Sequence, residues 1–301
     1  MRILISGSSG LIGSAISDAL TREGHTVGRL VRPAGAARAQ TGDVAWDPVA
    51  GTFDAATADG VDAVVHLAGA SIAGGRWTAA RKQLLRSSRI EATRHLVGAL
   101  GTLARPPRIF LGASAVGYFG DRGDELLDEQ SAPGTDFLAT LTQDWEREEA
   151  VAARFGARVV SMRSGIVLAG KGGALPRMAM PFKFGAGGRL GSGRQWMSWI
   201  ALRDVVGIAK FALANGALSG PIDAVAPEPE RNADFTRALA EVLHRPAIFP
   251  APAFALRLAL GEMADGLLLS SQRVFPRRLQ ESGYAFEQTD LRAALREALG
   301  R

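Results

Sequence analysis

The first thirteen residues, Met1-Arg-Ile-Leu-Ile-Ser-Gly-Ser-Ser-Gly-Leu-Ile-Gly13, restrict this chain more than any other stretch. A short apolar run passes directly into a glycine loop, and the loop passes into a helical pattern. Gly7, Gly10 and Gly13 make a GxxGxxG spacing. The first glycine permits a tight turn, the second lets backbone N–H groups come close to a pyrophosphate, and the third lets helix and strand pack closely. The helix start, with the N–H groups and partial positive charge of its first turn, faces the phosphates. Gly7, Ser8, Ser9, Gly10, Leu11, Ile12 and Gly13 are therefore expected to hold a dinucleotide.

The rest of the first half reads as alternating strand and helix. Strands are expected at Arg2–Ser6, Thr26–Val31, Ala63–Leu67, Arg108–Ala113 and Val159–Ser164, with a weaker one at Thr41–Ala45. Helices are expected from Leu11, with Ile12, Ile16 and Leu20 on one face, over Ala79–Leu100, and from Asp136 to about Ala153. Alternation of this kind implies an α/β chain, with a doubly wound parallel sheet of Rossmann type. Gly170–Gly193 reads as a long glycine-rich loop. Helical periodicity returns at Arg203–Leu213, with Asp204 expected to cap that helix, and Ile222–Val225 is a further strand candidate. Helices follow at Ala233–Leu243, Ala253–Ala264 and Asp290–Leu299. The expected division is a dinucleotide-binding core at 1–168, to which 196–225 returns, and a smaller, mainly helical substrate lobe from 169–195 and 226–301.

Composition narrows the function. A hydrophobic fraction of 47% supports a sizeable core. No apolar run approaches the roughly 18–20 residues that span a bilayer, and glycines interrupt any signal-peptide layout at once, so no membrane partner is expected and a cytoplasmic location fits. With no cysteine, thiolate nucleophiles and cysteine metal sites are excluded, and no metal site is expected. The net charge is +5 and the pI about 10.2. The arginines are scattered without interleaved aromatics, so nucleic acid is not the expected partner.

The second strand ends Arg29-Leu-Val-Arg32, with no acid between Thr26 and Thr41 to bind a ribose 2′-hydroxyl. Arg32, with Arg38 after it, suits a 2′-phosphate instead, and favours NADP(H) over NAD. The strand ending His66-Leu67-Ala68-Gly69 places small residues where a cofactor lies over the sheet. His66 is either a base or a packed histidine beside the sheet, and the packed reading is preferred.

These residues resemble the extended short-chain dehydrogenase/reductase superfamily, through Ser6–Gly13, His66-Leu-Ala-Gly69, Ser114-Ala-Val-Gly-Tyr-Phe-Gly120, Arg163-Ser-Gly-Ile-Val-Leu168 and Trp199-Ile-Ala-Leu-Arg-Asp204. More narrowly the chain is similar to its epimerase-like, NADP-binding branch. The marks are Gly75-Arg-Trp-Thr78, Ser88-Arg-Ile90 with Thr93, Asp144-Trp-Glu146 and a short helical C-terminal domain from about Pro250. The resemblance implies a Ser–Tyr–Lys site. Ser114 fits the first role, but no Tyr-x-x-x-Lys is present. The helix that should carry the pair offers Phe137 or Leu138, and Leu141 or Thr142. Tyr118, four residues after Ser114, and then Lys82 are the candidates to handle the proton.

Arg163, Arg189 and Arg194 are expected to hold a substrate anion, and Trp196 to stack on a base or sugar. Two functions follow. One is an NADP(H)-binding reductase, epimerase or dehydratase acting by hydride exchange on an anionic small molecule, nucleotide-linked substrates included. The other is a non-catalytic NADP(H) sensor or partner-binding scaffold, suggested by the missing pair. Whether the chain turns a substrate over is left open by the sequence, as is the choice between monomer and homodimer.

Overall fold

A computed structural model describes residues 1–32 and 40–301. Its centre is a seven-stranded, fully parallel sheet. The strands are β1 (Arg2–Ser6), β2 (Thr26–Val31), β3 (Val44–Ala45), β4 (Ala63–His66), β5 (Ile109–Ala115), β6 (Arg158–Ser164) and β7 (Gly220–Ala224). Their spatial order is β7-β6-β5-β4-β1-β2-β3. The order reverses between β1 and β4, and the carboxyl ends of the strands around that point form the crevice in which such sheets bind ligands. β1 and β4 are short apolar runs buried on both faces, as a sheet covered by helices on each side requires.

Helix α1 (Leu11–Arg22) buries Gly13, Ile16, Ala19 and Leu20 against this sheet. The 79–101 region is helical throughout but changes its winding. α2 (Ala79–Arg86) opens on the Thr78 cap, a π-turn occupies Ser87–Glu91, and α3 (Ala92–Gly101) completes it. The π-turn admits one extra residue per turn, and such bulges concentrate at functional sites. α4 (Phe137–Ala150) starts at Asp136, whose side chain accepts from the Ala139 N–H at 2.9 Å.

The 170–193 segment is not loop throughout. It contains α5 (Leu175–Lys183), with Leu175, Ala179 and Phe182 buried on one face. Pro176 sits in its first turn, where no N–H is needed. The surrounding glycines and two prolines hide this period in the sequence. Beyond it come α6 (Leu202–Ala214), α7 (Asn232–Leu243), α8 (Ala253–Leu260) and α9 (Leu291–Leu299). A second apolar cluster, separate from the core beneath the sheet, joins Leu175, Phe182, Trp199, Phe235, Leu239, Leu291 and Leu295.

Asp204 does not cap α6, since it lies within the first turn and the cap position is Ala201. Its buried carboxylate instead accepts the Glu287 N–H at 2.8 Å, the Gln288 N–H at 3.0 Å and the Tyr284 hydroxyl at 3.1 Å. It thereby fastens the C-terminal segment to the core. Among the described residues, no helix is long and apolar enough to cross a membrane.

Candidate functional site

The glycine loop has the geometry its spacing predicts. Gly7 has φ +68°, a left-handed conformation that side chains with a Cβ rarely adopt. A Cβ there would also sit 2.9 Å from the Leu67 carbonyl group, so the loop presses on the end of β4. A Cβ at Gly13 would overlap the Gly7 carbonyl, which explains the third glycine as a packing requirement. At Gly10 the nearest obstacle is the Gly7 oxygen at 3.2 Å. Gly10 is the N-cap of α1 and supplies no side-chain acceptor, and no acid occupies the first turn. The first N–H groups of α1 are thus left for an anion. Ser8, Ser9, Leu11 and Ile12 line the same turn, exposed or half-buried.

Ser6, at the end of β1, ties the loop to β4. Its Oγ accepts from the Leu67 N–H at 3.0 Å and the Ala68 N–H at 3.1 Å, so its hydrogen is given to His66 Nδ1 at 2.7 Å. His66 therefore carries its proton on Nε2 and donates it to Thr93 Oγ1 at 2.9 Å. Burial pushes the imidazole down to about 4. His66 is a neutral strut that sets the direction of Leu67, Ala68 and Gly69, as the packed reading anticipates. Arg32 stands exposed at the end of β2, close enough to Asp47 to favour that carboxylate's charge. Arg38 lies outside the described residues.

On the other side of the crevice, register places Ser114, Arg163 and Asp223 side by side on β5, β6 and β7. In parallel strands such neighbours share a face, and α4 covers it with Glu146. Glu146 Oε1 accepts from Ser114 Oγ at 2.5 Å and Arg163 Nε at 2.7 Å, while Oε2 accepts from Arg163 Nη2 at 2.8 Å. The Arg163 guanidinium lies 3.4 Å from the centroid of the Tyr118 ring. The Asp223 carboxylate is buried without a hydrogen-bond partner, and desolvation followed by repulsion from Glu129 pushes its pKa well up. Glu149, one turn further along α4, is buried too. It meets Ser161 Oγ at 2.5 Å, and burial raises its carboxyl well above the usual range. Gly112 makes its room, since any Cβ there would overlap that carboxyl.

This crevice and its neighbours can be set against known proteins. The NAD dependent epimerase/dehydratase family matches residues 3–223, and a domain of unknown function, DUF1731, matches residues 251–298. The chain is 45% identical over 299 residues to epimerase family protein Mb2239 of Mycobacterium bovis, covering 99% of this chain and 98% of that protein. It is 37% identical over 300 residues to epimerase family protein YfhF of Bacillus subtilis, covering 99% and 98%. The crystal structure of human epimerase family protein SDR39U1 (isoform 2) with NADPH superposes with a TM-score of 0.89 at 32% identity, covering all of both chains. The chain belongs to the NAD dependent epimerase/dehydratase family.

Within this epimerase-family fold, α4 departs from a Ser–Tyr–Lys site as its sequence suggests. Leu138, Leu141 and Thr142 are buried, and Phe137 packs edge-on against Trp77 with ring centroids 5.2 Å apart. Lys82 Nζ lies 4.9 Å from the Phe137 centroid and pairs with Glu262 of the C-terminal segment. The expected substrate residues are not brought together. Arg163 is 2% exposed, and its charge is answered by Glu146, not offered to the crevice. Arg189 and Arg194 are exposed, and Arg189 faces a wide groove with Arg237, His244 and Arg245. Trp196 carries two guanidiniums over its ring, Arg231 at 4.5 Å and Arg273 at 4.6 Å, so cations already hold the stacking position expected for a base or sugar.

A cavity of about 290 Å³ opens next to the 117–121 turn that follows Ser114. Trp77 and Phe137 line it, with Asp121, Asp136, Glu262 and Asp265 and a single guanidinium, Arg257. Glu146 and Arg163 form the polar centre that residue-by-residue reading missed. The signal was present as Thr142, Trp145, Glu146 and Glu149 at helical spacing on one face, a pattern that carries two carboxylates into the interior.

Proposed function

We propose that this chain is an NADP(H)-dependent epimerase-type oxidoreductase, with its reaction centre between the end of β5 and the cavity lined by Trp77 and Phe137. The observation that carries this reading is the cradle. It comprises the left-handed Gly7, the open side of Gly10, the uncapped start of α1 and an exposed arginine where an NAD site would place an acid. The human relative solved with NADPH supports the same choice. A bound nicotinamide supplies or takes up a hydride. Gly7 to Gly13 would hold the pyrophosphate, Arg32 the 2′-phosphate, and Leu67, Ala68 and Gly69 the surface over which the cofactor lies.

In this reading Ser114 and Tyr118 serve the reacting oxygen. Ser114, its hydrogen given to Glu146, would accept a hydrogen bond from the substrate hydroxyl and position it, and Arg163 fixes the Glu146 carboxylate through two hydrogen bonds. Tyr118 and, further out, Lys82 are the remaining proton-handling groups. The carboxylates and aromatic rings of the cavity suit a hydroxylated ring, with O–H groups donated to acids and C–H faces laid on aromatic rings.

A sensor without turnover is the second reading, favoured by the absence of a Tyr–Lys pair on α4. Calorimetric titration of nucleotide-free protein with NADPH and NADH, followed by assays of NADPH oxidation and of isomer formation against a panel of keto sugars and nucleotide sugars, separates the two. The proposal expects selective NADPH binding, and turnover that falls in Ser114→Ala and Glu146→Gln. Tight NADPH binding with neither oxidation nor isomer formation across the panel supports the sensor. No dinucleotide binding overturns both.

A further inference from the structure

From Ala63 to Ile90 the chain carries five Lys and Arg side chains and not one acid. Lys82 is answered by Glu262 and Arg86 by Asp144. Arg81 and Arg89 make no ion pair among the described residues, and the 33–39 stretch contains no acid. Both guanidiniums converge on the loop that leaves β4. Arg89, within the π-turn, is 8% exposed. It donates to the Ala70 carbonyl at 3.0 Å, contacts the Leu85 carbonyl at 3.4 Å and lies over the Trp145 ring at 5.1 Å. Arg81 donates to the Ser71 carbonyl, and its Nε is buried with no partner at all. Arg177 joins from α5, donating to the Ala73 carbonyl at 2.7 Å. Two glycines open the space, for a Cβ at Gly69 would stand 3.1 Å from the Arg89 guanidinium carbon, and one at Gly74 would overlap Arg81.

A buried guanidinium, Arg89, beside a half-buried one, Arg81, with neutral partners alone is unfavourable on both counts, desolvation and mutual repulsion. Burial, then Arg81, brings Arg89 down to about 10. Apolar side chains of the same volume would pack this place more stably. A planar guanidinium pair with a spare donor, next to a loop whose neighbouring residue Leu67 abuts Gly7, matches a phosphate-class dianion. We propose that Arg81 and Arg89, with Arg177 at the rim, form an anion site for a phosphate or pyrophosphate group. The phosphate comes from the dinucleotide or from a second, phosphorylated ligand. Only that choice of source rests on the functional reading above.

The test titrates inorganic pyrophosphate into the full-length protein, by calorimetry and by thermal shift, for the wild type, Arg81→Gln and Arg89→Gln. Arg105→Gln, at the opposite end of β4, controls for general charge. Pyrophosphate should bind and raise the melting temperature of the wild type and of Arg105→Gln. Its affinity should fall on the order of tenfold or more in Arg81→Gln. Arg81 is half-buried, so this variant keeps the test decisive should Arg89→Gln fail to fold. Competition between pyrophosphate and both NADPH and NADH, with equal losses for the two dinucleotides in Arg81→Gln, assigns the phosphate to the cofactor. Pyrophosphate binding to NADPH-saturated protein assigns it to the second ligand. Arginine-dependent pyrophosphate binding in a protein that takes no dinucleotide leaves the anion site standing and removes the functional reading. Unchanged pyrophosphate and cofactor affinities in Arg81→Gln overturn the proposal.

Discussion

Single side chains at the crevice divide into those left exposed and those already committed to the protein. Arg32 is of the first kind. It is exposed at the end of β2, where no acid stands to read a ribose hydroxyl. Arg32→Glu should weaken NADPH on the order of a hundredfold and NADH little, because only the former loses a charge-assisted contact. Parallel titrations check this, and equal losses would detach Arg32 from the 2′-phosphate. Arg163 is of the second kind. Its sequence context, an arginine at the end of an apolar strand, looks the same as that of Arg32, yet its guanidinium is sealed by Glu146 and the Tyr118 ring. Nothing local distinguishes the two. The difference arises because α4 lays Glu146 against Arg163, whereas Arg32 stands exposed past the last residue of β2.

At the scale of elements, the contact between α4 and β5 shows what a helix face does to ionisable groups. Gly112 exists to admit Glu149, so Gly112→Ala should destabilise the fold by about 1–3 kcal/mol through overpacking. Denaturant unfolding measures this.

The same contact, with the His66 strut beside it, gives the stability a two-sided pH dependence. His66 has its folded value near 4, below the ordinary 6.5, so the unfolded chain takes up a proton first and stability falls as pH drops from 6.5 to 4. The full loss is about 3 kcal/mol, and His66→Gln should flatten that acid limb. Glu149 has the opposite sign. Its folded value is raised, so its contribution is present below 4.5 and is lost as pH climbs through the folded value. Glu149→Gln should flatten the alkaline side. Unfolding curves across the pH range that keep their shape in both variants would place the titrating groups elsewhere. The helical period of α4 was readable beforehand. That Glu146 and Glu149 both face inward required knowing which side of α4 meets the sheet.

Across the whole molecule, polar ties add to the apolar packing that holds the C-terminal segment, with Tyr284 and Phe286 against the core beneath the sheet and Leu291 and Leu295 in the second cluster. Asp204 is the firmest, accepting two backbone N–H groups and a hydroxyl from residues 284–288. Asp204→Ala would leave buried donors unpaired, at a cost of roughly 2–4 kcal/mol. Hydrogen exchange should show the protection of 284–299 lost before that of β1 and β4, and uniform loss would mean that the segment folds as part of the core. Read locally, Asp204 looks like a helix cap, because capping is what an acid at the start of a helix most often does. The glycine loop, the strand–helix alternation and the small residues after β4 were determined by sequence alone. Each depends on contacts within a few residues, on backbone space and on the period of the apolar positions. The Glu146–Arg163 centre, the His66 strut, the Asp204 tie and the pairing of Arg81 with Arg89 were decided only by tertiary structure. Their partners are brought together by strand order and helix docking, and a buried charge takes its meaning from what lies opposite it.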